Sequence, residues 1–187
     1  MNKLAKGAIA GAAGLVLLLG GAGTFAFWNA SAGISGGTIV AGNLNVVNDG
    51  TAGAWVDQSG NPIDIATYKI VPGDVLTYTD DLTVVAVGDN LVASLSLSDQ
   101  SIAASSAAPA DVKLAQYLTE SAELTASGAG ISGTGPYTIT AGTAGVNSTV
   151  TVEVTITFPA GAAGEYNDAK LGSVSLSGMN VVLTQTL

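Results

Sequence analysis

The sequence predicts an all-β protein, namely a jelly-roll-like antiparallel β-sandwich with one short helix, preceded by an N-terminal hydrophobic signal segment. Three observations predict this class. Apolar and polar residues alternate over several segments, turn-forming residues separate those segments, and helical spacing of apolar residues occurs once in the body of the chain. Strands that each bury one face, about eight of them here, are expected to stack as two sheets.

The clearest predicted strand spans residues 149–157. There Val150, Val152, Val154 and Ile156 point to one side, while threonines and a glutamate point to the other. Pro159 follows shortly afterwards, so the strand is expected to end before it.

Further strands show the same alternation or are rich in β-branched residues. They are predicted over residues 75–87, 91–98, 137–140 and 172–186. We expect the first of them to break at Asp80 and Asp81, and the last to be bulged at Gly178.

Turns, loops and one helix separate these strands. Turns are predicted at residues 57–62, 71–74 and 88–90, and loops over residues 101–108 and 127–135. The helix is expected to begin at Pro109, because Val112, Ala115, Leu118 and Ala122 recur at helical spacing after it.

The N-terminus has the pattern of an export signal. Lys3 and Lys6 precede a Gly/Ala/Leu run over residues 8–22, and small residues follow it. Small residues at the −3 and −1 positions permit cleavage after Ala26 or after Ala32, and the residues alone do not choose between them. The alternative is a retained membrane anchor, but Gly and Ala make up much of the run and are weakly hydrophobic.

The amino-acid composition excludes several classes of function. The chain has 187 residues, five Lys and Arg against 14 Asp and Glu, and a formal net charge of −9. This acidity argues against nucleic-acid binding, which requires phosphate-neutralising cations. The chain has no Cys and no His, so disulfides, thiol nucleophiles and histidine bases are all excluded. We therefore expect no enzyme and no cofactor.

The densest acidic cluster offers weak candidate ligands for a calcium ion. Asp80 and Asp81 lie near Asp89 in the sequence, and hard cations prefer carboxylate and carbonyl oxygens. The spacing matches no EF-hand loop, and solvated turn residues would show the same pattern. The interpretation we prefer is that no metal binds there.

Two segments near the N-terminus resemble a known family. Residues 20–29 read GGAGTFAFWN, and residues 37–46 read GTIVAGNLNV. They resemble the start of the TasA/camelysin family, with its Gly-Gly-Thr-aromatic-Ala pattern followed by a Thr-x-x-Ala-Gly-x-Leu strand. PGDVL at residues 72–76 and VLTQ at residues 182–185 fit the actinobacterial branch. The chain departs from the family in having few lysines and in a middle region that does not align.

The resemblance implies an exported jelly-roll subunit of an extracellular biofilm-matrix fibre. It implies cleavage between Ala26 and Phe27 by a SipW-type signal peptidase, which divides the chain into a signal peptide (1–26), a donor segment (27–37) and a sandwich domain (38–187). In that family the new N-terminal segment of one subunit is inserted as a strand into the next. The partners implied are copies of the chain and the peptidase, with transient membrane contact through the signal segment.

A physical mechanism supports the same expectation. An open sheet edge exposes backbone donors and acceptors, and an uncharged segment from a neighbouring copy can pair with it. Phe27, Trp28, Ile34 and Ile39 would supply the pocket-filling side chains. The second hypothesis is a monomeric surface adhesin or carbohydrate-binding sandwich, although the aromatic residues are scattered along the sequence. A secreted enzyme is the third.

Overall fold

The computed structural model describes residues 2–21, 36–99 and 101–186, and the chain divides into two compact units, Met1–Ile39 and Val40–Leu187. In the first unit, the described residues form helix α1 (Lys3–Gly21). Of the helices that the structure describes, none combines the length and the apolar character needed to cross a membrane.

The second unit is built mainly from antiparallel strands. Helix α2 (Pro109–Thr119) and a short 3₁₀ helix (Asn167–Ala169) are its described helical elements. The strands are β1 (Asn43–Asn48), β2 (Ala54–Val56), β3 (Val75–Val87), β4 (Val92–Leu97), β5 (Ala103–Ala104), β6 (Glu123–Gly128), β7 (Ile131–Ser132), β8 (Tyr137–Thr140), β9 (Val146–Thr157), β10 (Val174–Ser175) and β11 (Val181–Thr186).

These strands form two larger sheets and one small one. The first sheet has the order β1-β3-β9-β6, with β2 also paired to β3, and the second has the order β11-β4-β8-β7. Strands β10 and β5 pair separately, and every pairing is antiparallel. The chain crosses directly from one large sheet to the other between β3 and β4, β6 and β7, and β8 and β9. It crosses by way of the small sheet between β4 and β6 and between β9 and β11. The predicted all-β sandwich is therefore confirmed.

The main core lies between the two large sheets. Strand β9 contributes Val150 and Val152, β3 contributes Val84, and the second sheet contributes Leu95 and Ile139, each at most 1% exposed. Each such side chain contributes about 1.5–3 kcal/mol when it leaves water. The period-two pattern read from residues 149–157 therefore marks the face of β9 that builds the core.

A second core continues along the same face of the first sheet. Val154 and Ile156, further along β9, pack with Leu114 and Leu118 of α2 and with Phe158. Here the helix covers the sheet where the second sheet does not. The helix begins at Pro109 as predicted, because proline at the first helical position loses no hydrogen bond.

Strand β3 is continuous from Val75 to Val87, so the break expected at Asp80 and Asp81 is wrong. The Asp80 carboxylate is buried and accepts hydrogen bonds from Asn48 Nδ2 (2.7 Å) and from the Tyr78 hydroxyl (2.9 Å). Because its carboxylate is satisfied by neighbours on the same sheet, the aspartate can remain within the strand.

Other local expectations are corrected as well. Gly178 lies in a turn, closed by Met179 N donating to the carbonyl of Leu176 (3.0 Å), so the predicted bulged strand is two strands, β10 and β11. Val112 is 48% exposed and points away from the core, which Leu114 enters instead. Strands β5 and β7 lie in segments expected to be loops, and β6 was not predicted.

The predicted turns at residues 57–62, 71–74 and 88–90 are confirmed. Leu91 N donates to the carbonyl of Gly88, and Asp74 N donates to that of Val71, each at 3.0 Å. Gly73 has a φ of 101°, which the third position of a type II turn requires.

Candidate functional site

An apolar groove of about 720 Å³ lies beside the second core. Its floor is formed by buried residues of α2 and of the first sheet, namely Leu76, Leu114, Leu118, Ile156 and Phe158. Residues 65–72 form one wall, and residues 160–176 form the other. The groove therefore opens where helix and connecting segments, rather than a second sheet, cover the first sheet.

An aromatic cluster supports one wall of the groove. The ring centroids of Tyr117 and Tyr166 are 4.8 Å apart, and those of Phe158 and Tyr166 are 5.4 Å apart. The planes of Tyr117 and Tyr166 are inclined at 68°, so they pack edge to face and do not form a flat platform. These aromatic residues, scattered in the sequence, are thus brought together by the fold.

The hydroxyl of Tyr117 is fixed by Asp168, to whose two carboxylate oxygens it donates at 3.0 and 3.2 Å. This hydrogen bond, followed by desolvation, raises the pKa of Tyr117. On the helix one turn earlier, Lys113 Nζ lies 5.9 Å from the centre of the Tyr117 ring. The positive charge of Lys113 is therefore held over an aromatic face.

Two carboxylates hold the walls of the groove in place. Buried Asp111 accepts hydrogen bonds from the Ser106 hydroxyl (2.6 Å) and from Ser173 N (2.8 Å), and so ties the first turn of α2 to the wall formed by residues 160–176. Buried Asp74 accepts from Val71 N (2.9 Å) and from the hydroxyl of Tyr68 (3.3 Å).

The surroundings of these two carboxylates shift two pKa values, that of Asp111 itself and that of Tyr68 beside Asp74. The hydrogen bond from Ser106, followed by that from Ser173 N, holds the pKa of Asp111 below its ordinary value. Burial, followed by the negative charge of Asp74, raises the pKa of the Tyr68 hydroxyl. In the neutral range the carboxylate of Asp111 is therefore ionised while Tyr68 keeps its proton.

The candidate calcium ligands are not brought together. Asp80 is buried on β3 and Asp81 is exposed on its other face, whereas Asp89 lies in the turn after the strand ends. A cleft of about 470 Å³ does lie beside Asp49, Asp80 and Asp81. Over residues 2–21, 36–99 and 101–186, however, no three acidic side chains converge in a way that could hold a metal ion.

The sheet edges differ in how well they are protected. Strands β2 and β7 are only three and two residues long, and β6 carries the charged Glu123. Strands β1 and β11 are each six residues long and uncharged. Each lies at the edge of one large sheet, and the two strands contact each other. Since short length and charge protect an edge from pairing, β1 and β11 are the unprotected ones.

The residues expected to act in export and strand donation are only partly described. Ala26, Phe27, Trp28 and Ile34 lie outside the described residues. Ile39 is described, and it is 96% exposed. Val40 beside it is 85% exposed, so two β-branched apolar side chains in succession contact water just before β1.

The groove itself was not predicted from the sequence. Its lining comes from segments far apart in the sequence, such as residues 65–72 and residues 160–176, whose nearest ends are 88 residues apart. One signal was present: Ile65, Tyr68 and Ile70 are apolar residues in a segment between two turns that has no strand pattern. Comparison of the chain with protein-family models, curated proteins and solved structures finds no match.

Proposed function

We propose that the chain is an exported structural subunit of an extracellular biofilm-matrix or surface fibre. Its leader, residues 1–26, is removed by a SipW-type signal peptidase between Ala26 and Phe27. The mature N-terminal segment, residues 27–37, then adds as a strand to the next subunit. Because such a contact runs head to tail and does not close on itself, repetition produces a filament. No catalytic group is assigned, and the partners are other copies of the chain.

The observation that carries the proposal is the exposure of Ile39 and Val40. Isolated exposed apolar residues are ordinary on protein surfaces. Here, however, the two are adjacent, β-branched and part of a run without charge from residue 7 to residue 48. Such a segment has the composition of a strand and lacks the charges that would prevent it from pairing.

The acceptor that fits this segment best is the outer edge of β11. Val181 and Leu183 point toward the main core but are only half-buried, and Val182 on the opposite face is 39% exposed. An added strand would cover these side chains and pair with an edge that has no charged residue. Strand β1 is less suitable because asparagines occupy two of its outward positions, Asn43 and Asn45, while Val47 occupies the third.

The test of assembly compares two versions of the chain, one starting at Phe27 and one starting at Thr38. The first is expected to form filaments visible by electron microscopy, in a concentration-dependent manner. The second is expected to remain monomeric in sedimentation, because the donor segment is missing. Filaments from the chain that starts at Thr38, which keeps Ile39 and Val40, would refute strand donation by residues 27–37.

The test of the acceptor uses the natural absence of cysteine. In the chain starting at Phe27, the pair Ile39→Cys and Val182→Cys is expected to give a ladder of disulfide-linked oligomers on a non-reducing gel. The matched control joins Ile39→Cys with Val112→Cys, since Val112 is similarly exposed but lies on α2. Equal ladders from both pairs would exclude β11 as the specific acceptor.

A monomeric surface adhesin or carbohydrate-binding module is the second candidate. The observation that favours it is the cluster of Tyr117, Phe158 and Tyr166 beside the groove. The steep angle between the two tyrosine rings makes this cluster a poor stacking surface for a sugar ring, which is why the fibre is preferred. Binding of a glycan by a chain that stays monomeric at high concentration would favour this candidate.

A further inference from the structure

We propose that the apolar groove binds a single-chain amphiphile with an anionic head group, such as a long-chain carboxylate. The proposal is independent of the fibre, because the described residues that line the groove include none from β11 and neither Ile39 nor Val40. It rests on the lining of the groove, which would take the acyl tail, and on the charges at its mouth, which would take the head group.

The tail would lie on the apolar floor. The side chains of Leu114, Leu118 and Phe158 all contribute to it, and the volume of about 720 Å³ falls within the range of about 300–1,000 Å³ usual for small-molecule sites. An acyl chain needs no polar partner along its length. Each methylene that it buries is expected to tighten binding about fourfold.

The head group would lie at the mouth of the groove, where positive charge is concentrated. The chain has five lysines and no arginine; Lys3 and Lys6 belong to α1, so three remain in the second unit against all 14 acidic residues. Two of those three, Lys69 and Lys170, line the groove, and both are exposed. In a strongly acidic unit, this is the surface that an anion would meet most favourably.

The carboxylates near the mouth accept hydrogen bonds from groups of the chain itself. Glu165 is the acidic residue among the described lining residues, and its Oε2 accepts a hydrogen bond from Ala162 N (2.5 Å). Asp74, below the same wall, is bonded to Val71 N and Tyr68. Among the described lining residues, an incoming anionic head group meets two ammonium groups and one carboxylate.

Leu171 is the remaining unusual feature at this mouth. It follows Lys170, its side chain is fully exposed, and its backbone has a φ of 62°, which costs a residue other than glycine energy. The strained turn thus presents an apolar side chain beside a positive charge. This pairing matches the junction between the tail and the head of an amphiphile.

The experiment is calorimetric titration of the full chain with dodecanoate, dodecyltrimethylammonium and dodecyl maltoside, each below its micelle concentration. The three probes share one tail and differ in the charge of the head. Dodecanoate is expected to bind tightest. The double variant Lys69→Gln, Lys170→Gln is expected to raise its Kd about tenfold, and to leave the Kd of the maltoside within about twofold.

Lys113→Gln is the matched control, because Lys113 lies on α2 over the Tyr117 ring and does not line the groove. It should leave dodecanoate binding unchanged.

NMR of the methyl groups adds a second readout. Bound dodecanoate should shift the methyl resonances of Leu114 and Leu118, while those of Leu95 and Ile139 in the main core stay constant. Shifts confined to the N-terminal helix, or equal Kd values for all three head groups, would overturn the proposal. The proposal would also be overturned if the wild type bound no dodecanoate and the double variant Lys69→Gln, Lys170→Gln lost self-association. The groove would then bind a second copy of the chain.

Discussion

Asp80 illustrates how a single residue can oppose its local propensity. Aspartate is depleted in strands, yet here it lies at the middle of the longest one, with its carboxylate bonded to Asn48 Nδ2 and the Tyr78 hydroxyl. Burial, followed by the hydrogen bond to Asp80, raises the pKa of Tyr78. The neighbouring ring of Trp55, 5.2 Å from that of Tyr78 between centroids, keeps this arrangement packed.

We predict that Asp80→Ala destabilises the fold by about 1–3 kcal/mol, because Asn48 and Tyr78 lose the buried acceptor that they share. The measurement is the free energy of unfolding in urea. Asp81→Ala is the control: its carboxylate is exposed and bonded only to the Thr151 hydroxyl among its side-chain partners. A loss of stability as large in the control as in Asp80→Ala would contradict the explanation.

At the scale of elements, α2 is held to the sandwich at its first turn. Asp111 links it to Ser106 before the helix and to Ser173 in the wall of the groove. Because both bonds favour the charged carboxylate, the pKa of Asp111 is lower in the folded chain than its ordinary value of 3.8. Its contribution to stability is therefore complete above the pKa of the unfolded chain, and it is lost as the pH falls through the lower, folded value.

Asp111→Asn is accordingly expected to lower the Tm most at neutral pH. The difference in Tm from the wild type should shrink as the pH is lowered below about 4, where the wild-type carboxylate also becomes neutral. Thermal unfolding followed by circular dichroism between about pH 3 and pH 7 measures this. Asp89→Asn, in an exposed turn, is the control, and a difference that grows toward acid pH would show that the sign is wrong.

Elements with strong patterns could be predicted from the sequence, whereas short ones could not. The strand of residues 149–157 and the helix from Pro109 each repeat a pattern over several residues. Strands β5, β7 and β10 have two residues each, too few for any period to appear. Their pairing is decided by the partner strand, which the local sequence does not contain.

At the scale of the whole molecule, charge governs how copies approach one another. The full chain has a net charge of −9, and the chain starting at Phe27, which keeps three lysines against 14 acidic residues, has a net charge of −11. This charge repels neighbouring copies at long range, while the proposed contact is apolar and uncharged. At low salt this repulsion acts over about 30 Å, and at physiological ionic strength over only about 8 Å. Assembly by the proposed contact should therefore be limited by repulsion at low salt.

We predict that the chain starting at Phe27 assembles faster as sodium chloride is raised from about 10 mM to about 150 mM, because screening shortens the repulsion. Light scattering at fixed protein concentration follows the rate. The chain starting at Thr38 should scatter little at either salt concentration. Assembly that slows with added salt would indicate that opposite charges, rather than an apolar strand, hold the subunits together.

The sequence by itself determined the all-β class, the inward face of β9, the start of α2 and the turns, because each depends on neighbours within a few residues. It also fixed the acidity and the absence of Cys and His, which limit the chemistry of any site. The tertiary structure alone decided that Asp80 stays within a strand, that Asp89 lies apart from it, and that Lys69 and Lys170 line one groove. The physical reason is that the groups that meet are far apart in the sequence, 32 residues between Asn48 and Asp80 and 101 between Lys69 and Lys170, and they come together only once the strands have paired and the walls of the groove have packed.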